Sequence, residues 1–482
     1  LRQILLLVSK VELPVSPSRE MKALEAYIET DQKLVAVPGC YLGAIRSASK
    51  FLLGPYLSEC ESRLWSGDWT PRHSTGALAT RESFNARWEL NTWTERLQEF
   101  IPWWDDLTTF PSEIQNSDVS ILARCDEPPA KVTLVPKTMK SPRVIVMEPA
   151  HMQYVQQGLL HLFTEVLKEK RHQHLADAFS WLDQTPNRNL ARLGSIDGSY
   201  ATIDLSEASD RVSYELVWAL LDSVPYLRSV VFAARSESAI LPDGRQVELK
   251  KFASMGSSLC FPMESMVFYI IVAIALAEHH SIAPSQIRPR HVCRVRIFGD
   301  DLIVPGVVAQ TLIKWLEAFG LKVNTRKSFT TGLFRESCGS DWYHGEDVSV
   351  FKLRSPFPDE GHQYQRLERA ISFHNRAYGA GWFRVAQCAE RLLGEVRPHI
   401  PRAPVGLDTP ALWSWEGPFV ARTNPHYHRP EVKTLIFRQV KPSDGLEGYG
   451  ALKKCLTIPG VKPREVSHLE RDGRSLYAGV NT

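Results

Sequence analysis

Arg294-Val295-Arg296-Ile297-Phe298-Gly299-Asp300-Asp301-Leu302-Ile303-Val304 decides how this chain reads. Two apolar, β-branched runs flank a Gly-Asp-Asp tripeptide, the pattern of a tight hairpin with two carboxylates at its tip. Downstream, the spacing predicts a helix from Val307 to Phe319, stopped by Gly320 where a left-handed residue is wanted. Upstream, Gly256 precedes a predicted helix from Ser258 to Glu278, with Pro262 tolerable only in its first turn. The apolar run inside it, Met266 to Ala277, falls short of the ~20 residues that cross a bilayer and reads as a buried helix. Further upstream, Tyr200 to Ile203 reads as a strand leading into Asp204, followed by a helix from Glu207 to Leu221. Leu241-Pro242-Asp243-Gly244 is a turn between two extended pieces, and Val132–Val135 with Val144–Val146 form a hairpin. The order is that of an α+β fold built round an antiparallel sheet.

The carboxylates suggest the chemistry. Phosphoryl transfer to a growing strand needs two divalent cations about 3.5–4 Å apart, one activating the attacking hydroxyl and one steadying the leaving pyrophosphate. Magnesium prefers oxygen ligands and keeps several waters, so two or three carboxylates on rigid backbone suffice. Asp204 at a strand end, with Asp300 and Asp301 at a hairpin tip, meets that need if the strands are neighbours. Gly-Asp-Asp alone is weak evidence, since roughly one chain in ten of this length contains it by chance. Four further stretches give it weight. Asp210 follows Asp204 at a distance suited to sensing a ribose hydroxyl, against the plainer reading of an acid at a helix start. Ser254-Met255-Gly256-Ser257-Ser258 has the small side chains that let a template base and a sugar approach the backbone, against an ordinary cap. Lys131, Lys137, Lys140 and Arg143, with no acid between Glu127 and Glu148, can converge on a triphosphate, against a solvated basic loop. Lys327 can donate a proton to departing pyrophosphate, against the commoner surface lysine.

Bulk properties bound the class. The chain has 482 residues, 44% of them hydrophobic and 23% charged, with a net charge of +3, which excludes a wholly disordered protein. The last 132 residues carry +7 and the first 350 carry −4, so a basic surface is concentrated toward the C-terminus. Eight cysteines are scattered without zinc spacing, which predicts reduced thiols in a cytosol. There is no internal repeat, the opening Leu1–Val8 is too short for a signal peptide, and the missing initiator Met predicts a true start upstream. The tryptophans of the first 120 residues, Trp65 to Trp104, read as aromatic packing ahead of base stacking.

These segments resemble the polymerase motifs of the replicases of single-stranded RNA bacteriophages, the leviviruses. Val135-Pro136-Lys137-Thr138 with Arg143 and Met147-Glu148-Pro149 resembles the family's basic fingers motif, and Asp183-Gln184-Thr185 an element preceding the first palm strand. Asp204–Ser213, Ser254–Gly256 with Glu264-Ser265, and Gly299-Asp300-Asp301 resemble palm motifs A, B and C in order. Asn324–Lys327 and the distinctive Phe334-Arg335-Glu336-Ser337-Cys338-Gly339 resemble the family's stretch after motif C. Pro71-Arg72-His73 with Gly76-Ala77 resembles an N-terminal element. The recognisable span is about Lys131 to Phe351.

The resemblance implies an RNA-directed RNA polymerase with a right-handed fingers, palm and thumb. Residues 1–199 are then N-terminal region and fingers, 200–215 palm, 216–250 a fingers insertion, 251–350 palm again, and 351–482 thumb and C-terminal region. Asp204, Asp300 and Asp301 are expected to hold two Mg²⁺ ions, with Mn²⁺ an acceptable substitute. Lys137, Lys140 and Arg143 are expected to bind phosphates, Asp210, Ser254, Gly256 and Ser257 to meet the nucleotide, and Lys327 to act as an acid. Implied partners are RNA template and product, ribonucleoside triphosphates, host elongation factors Tu and Ts and a ribosomal protein, in the cytoplasm of a bacterial host with no membrane. Phe298 stands where the family has Tyr, Ser257 and Cys260 where it has Asn and Thr, and Pro262 where it has an acid. The alternatives are a reverse transcriptase-like palm enzyme, disfavoured by Gly299 and Asp210, a two-metal nuclease, disfavoured by the lysine cluster, and a non-catalytic RNA-binding protein.

Overall fold

The computed structural model describes residues 1–11, 13–80, 86–108, 118–138, 141–357, 364–439, 446–457 and 475–480. At its centre is a four-stranded antiparallel sheet in the spatial order Lys322–Val323, Tyr200–Ser206, Asp301–Pro305, Arg296–Phe298. The β-branched and alternating residues of these strands bury one face: Ile203, Ile297, Leu302 and Val304 are all at most 1% exposed. Against them lies the helix Cys260–His279, apolar all round and buried along almost its whole length. It packs on the helices Gly39–Leu52, Tyr214–Leu220 and Ala309–Ala318 and on the strand Arg296–Phe298. Its 20 residues are long and apolar enough to span a bilayer by composition, but protein covers it on all sides, as a helix with no polar stripe requires. Pro262 sits in its first turn, where a missing N–H costs nothing.

A second four-stranded sheet has the order Arg143–Met147, Ala130–Val135, Ser238–Ile240, Gln246–Glu248. The predicted basic hairpin is its antiparallel edge pair, with Val135 opposite Arg143. Ala130–Val135 runs parallel to Ser238–Ile240, and the turn at Leu241–Gly244 joins the other two strands. The helix Pro17–Gln32 buries Leu24, Tyr27 and Ile28 against this sheet. A backbone bond from Val146 N–H to Met255 O, 2.8 Å, stitches the sheet to the Ser254–Ser258 loop. Past these sheets, the helices Tyr364–Gly379 and Phe383–Val396 pack on each other, and the N-terminal residues reach the chain just ahead of them through Leu353 N–H to Leu7 O, 2.8 Å.

Three local expectations need correction. The helix expected from Glu207 to Leu221 is two, Ala208–Arg211 and Tyr214–Leu220. Glu207 takes a left-handed φ of 55°, and Val212 and Ser213 are extended because this stretch pairs with Lys250–Phe252: Tyr214 N–H donates to Lys250 O and Phe252 N–H to Val212 O. The Gly-Asp-Asp hairpin has only Asp300 at its tip, since Asp301 already belongs to the returning strand. Trp88 and Trp93 are buried as packing residues, whereas Trp65 is 74% and Trp104 42% exposed. All eight cysteines are free.

Gly256 has φ +123°, and a Cβ there would lie 2.0 Å from Val146 O, so only glycine fits beneath the hairpin strand. Gly256→Ala is expected to lower stability by roughly 1–3 kcal/mol by breaking this stitch, measured by thermal or denaturant unfolding. An unchanged midpoint removes the argument for close approach.

Candidate active site

Sheet register brings the carboxylates together. Asp204 pairs with Asp301 across the Tyr200–Ser206 and Asp301–Pro305 strands, which places their side chains on the same face of the sheet. Asp300, exposed at the hairpin turn, adjoins them. The turn demands glycine at 299: its φ is +56°, and a Cβ would stand 2.4 Å from the Phe261 ring and 3.0 Å from Glu264 Oε1. Phe261 in turn meets Phe298 edge-on, ring centroids 5.1 Å apart, so the hairpin is seated on the first turn of the buried helix.

Each strand-borne carboxylate has its own support. Asp204 Oδ2 accepts from Asn324 Nδ2 at 2.7 Å, and Oδ1 faces Lys327 Nζ at 3.4 Å. Its backbone is tied to the same segment by Asn324 N–H to Asp204 O, 2.8 Å. Phe329 continues the contact along Thr202, which fixes Lys327 beside Asp204. Asp301 Oδ2 accepts from the backbone N–H of Cys338 at 3.0 Å. Cys338, with φ +49°, and Gly339 form the turn of the Phe334–Tyr343 hairpin. The distinctive Phe334–Gly339 stretch therefore holds a carboxylate in place.

The site carries uncompensated negative charge. Burial, then Asp300 and Asp204, push the Asp301 carboxyl up to about 7. Burial also raises Asp204, with Lys327 opposing and Asp300 adding to the rise. Burial works against the Lys327 ammonium, but Asp204, Glu336 and Asp300 outweigh it and hold it above its ordinary value. Glu264, buried behind the hairpin turn, is raised well above the carboxylate range by burial, Asp300 and Asp210. Among the described residues no set of three or more His, Cys, Asp or Glu forms a ready-made metal cage. As the side chains stand, Asp204 is hydrogen-bonded to Asn324 and faces Lys327, and Asp301 accepts from the Cys338 amide. Two strand-mounted carboxylates and a third at the adjoining turn nonetheless fit a hard cation, which takes one or two protein carboxylates and completes its shell with water and substrate phosphate.

The remaining predicted residues fall around this face. Lys137 is lowered by partial burial, Arg143 and Lys327, while Asp300 and Asp204 raise it, so it lies in the field of the same site. Arg143 is exposed at the start of its strand. Lys140 lies outside the described residues. Ser254 and Ser257 are buried: Ser254 shares a hydrogen bond with Tyr27 at 2.8 Å, and Ser257 donates to Gln156 Oε1 at 3.0 Å. Asp210 is engaged by Lys251 Nζ at 2.9 Å. Sequence reasoning missed Asn324 as the partner of Asp204, Glu264 as a buried acid behind the turn, and Lys251 altogether. Only Asn324 and Glu264 stood within stretches already singled out.

The raised Asp301 value sets a pH dependence. Between the ordinary 3.8 and about 7 the folded chain retains a proton that the unfolded chain has lost, so stability is greatest below that window and falls as pH rises through it. Divalent-free protein is expected to show this decline in thermal midpoint. Asp301→Asn is expected to flatten it and to gain on the order of 1–2 kcal/mol above the window. An Asp301→Asn variant with the wild-type slope contradicts the crowding.

Comparison with known proteins identifies relatives of the central part of the chain. A family model described as RNA replicase, beta-chain, matches residues 114–363. The RNA-directed RNA polymerase beta chain of Escherichia phage MS2 is 38% identical over 225 residues, 47% of this chain and 38% of that one. That of Enterobacteria phage fr is 37% identical over 228 residues, 47% of this chain and 38% of its own. The RNA-directed RNA polymerase subunit beta of Qbeta virus (strain MX1) is 37% identical over 224 residues, 46% of this chain and 35% of its own. The matched stretch thus spans under two fifths of the length of these relatives. It contains Asp204, the Gly299–Asp301 turn and the Phe334–Gly339 hairpin, and with the family match running over more than half of its residues this chain belongs to the RNA replicase beta-chain family.

Proposed function

We propose that this chain extends RNA on an RNA template, joining ribonucleoside triphosphates by two-metal nucleotidyl transfer in replication of a phage genome. The observation that carries this reading is the register of Asp204 opposite Asp301, with Asp300 at the adjoining turn. Asp204, Asp300 and Asp301 would hold two Mg²⁺ ions, whose charge would favour ionisation of the attacking hydroxyl and steady the leaving pyrophosphate. The chain's own residues supply the rest. Lys137, in the field of the carboxylates, and Arg143 at the start of its strand, together with Lys140 of the same sequence stretch, bind the triphosphate through charge-assisted bonds. Asp210 receives the sugar, and Gly256, which lets its loop lie against Val146 of the hairpin strand, fixes the backbone that meets the nucleotide. Lys327, held above its ordinary value by Asp204 against burial, hands a proton to the departing pyrophosphate in this reading, which its ion pair with Asp204 supports. The relatives are named as a beta chain or subunit, which supports a replicase of several subunits. We extend the proposal to elongation factors Tu and Ts and a ribosomal protein as partners, in the bacterial cytoplasm.

Template-directed incorporation by purified protein, with and without bacterial elongation factors, tests the reading. Asp300→Asn is expected to lose activity by roughly two orders of magnitude or more. Lys137→Ala is expected to raise the nucleotide KM about tenfold, equivalent to ~1.4 kcal/mol, with a smaller effect on kcat. Incorporation that survives Asp300→Asn unchanged overturns the mechanism. Deoxynucleotide incorporation equal to that of ribonucleotides assigns the chain to DNA synthesis instead.

A further inference from the structure

Lys251 is fully buried, and every polar atom it offers is engaged by a different part of the chain. Its backbone N–H donates to Asp31 Oδ1 at 2.9 Å, and its carbonyl accepts from Arg235 Nη2 at 2.9 Å. The side chain passes beneath the Tyr27 ring, with Nζ 3.4 Å from the ring centroid, and ends on Asp210 Oδ1 at 2.9 Å. The Tyr27 hydroxyl shares a 2.8 Å hydrogen bond with Ser254 Oγ. The ammonium therefore ties the helix Pro17–Gln32 to the short helix Ala208–Arg211, and Tyr27 carries the connection on to the start of the Ser254–Ser258 loop. Burying a lysine is costly unless its charge is matched, and the match here is Asp210. Asp210 itself keeps about a fifth of its side-chain surface open, 21%, so its carboxylate is gripped from behind and presented in front. Its charge bears on Glu264, whose Oε1 lies 3.0 Å from where a Cβ on Gly299 would stand, so Asp210 acts electrostatically on the group behind the Gly299–Asp300 turn.

We propose that Lys251 is a positioning residue for sugar selection: by anchoring Asp210 from the protein interior, it aims that carboxylate at the ribose hydroxyls of the incoming nucleotide. This rests on the polymerase reading above and adds to it a residue no motif indicated. Anchoring matters because a free aspartate would spread over several rotamers, and fixing one geometry is what lets a hydrogen bond tell a hydroxyl from a hydrogen. Burial works against the Lys251 charge, but Asp210, Tyr27 and Asp31 together hold it above its ordinary value, so the anchor stays charged across physiological pH.

The test is the ratio of kcat/KM for ATP to that for 2′-deoxy-ATP on one RNA template. It compares wild type, Lys251→Met, Asp210→Asn and the double variant, well below their melting temperatures. Lys251→Met, which keeps the length and removes the charge, is expected to lower the ratio about tenfold, chiefly through KM for ATP. The double variant is expected to match Asp210→Asn alone, since the lysine acts through the aspartate. Should Lys251→Met not fold, Lys251→Arg is read in the same way, and its displaced charge is expected to lower the ratio as well. An equal loss for both nucleotides with the ratio unchanged makes Lys251 a structural strut and overturns the inference. A wild-type chain that incorporates neither nucleotide, with elongation factors present, overturns the polymerase reading and this inference with it.

Discussion

Asp204 and Asp301 face each other because the two central strands pair antiparallel in one particular register, and most of the surrounding structure serves to hold that register. A slip of one residue would turn Asp204 to the opposite face and bring Ile203 or Leu205 to the site, since side chains alternate along a strand. The apolar residues between the acids prevent the slip. Ile203, Leu302 and Val304 are buried in the same apolar core as the helix Cys260–His279, and exposing them would cost about 1.5–3 kcal/mol each. The hydrophobic core thereby keeps two carboxylates adjacent, with burial first and then Asp300 and Asp204 raising the Asp301 carboxyl.

Around this pair the chain supplies fastenings from distant segments. Asn324 and Lys327 reach Asp204 from the edge of the sheet, the Cys338 amide reaches Asp301 from the following hairpin, and Phe261 seats the Gly299 turn from the buried helix. Fixing ligands through such secondary contacts is how a site is prepared before substrate and ion arrive. The basic hairpin belongs to another sheet, but the bond from Val146 to Met255 and the close approach at Gly256 attach it to the loop that leads into the same helix. The basic hairpin and the carboxylate-bearing strands thus share one mechanical frame.

Much of this was legible in the sequence because the informative residues stand at places where local physics dictates structure. The Gly299 turn, the Leu241–Gly244 turn, the helix stop at Gly320 and the strand leading to Asp204 all carry their signals in adjacent residues. What escaped was tertiary. Nothing in Glu207–Leu221 announces a break, because the break is imposed by pairing with Lys250–Phe252 some forty residues later. Lys251 resembles any surface lysine until Tyr27, Asp31 and Asp210 assemble around it. The Ser257 hydroxyl looked free to face a ligand, yet Gln156 on another helix captures it. That Asp301 sits on a strand and not at the tip is a shift of one residue, and only the pairing with Phe298 decides it.

Iron-mediated cleavage tests the central claim most directly. Fe²⁺ substituted for Mg²⁺ in the presence of ascorbate and peroxide generates hydroxyl radicals that cut the backbone beside the bound ion. The account predicts cuts at two separate places in the sequence, next to residue 204 and next to residues 300–301, both suppressed by excess Mg²⁺ and both lost in Asp301→Asn. Cleavage at only one of these places, or at sites remote from both, contradicts a metal centre shared between the two strands.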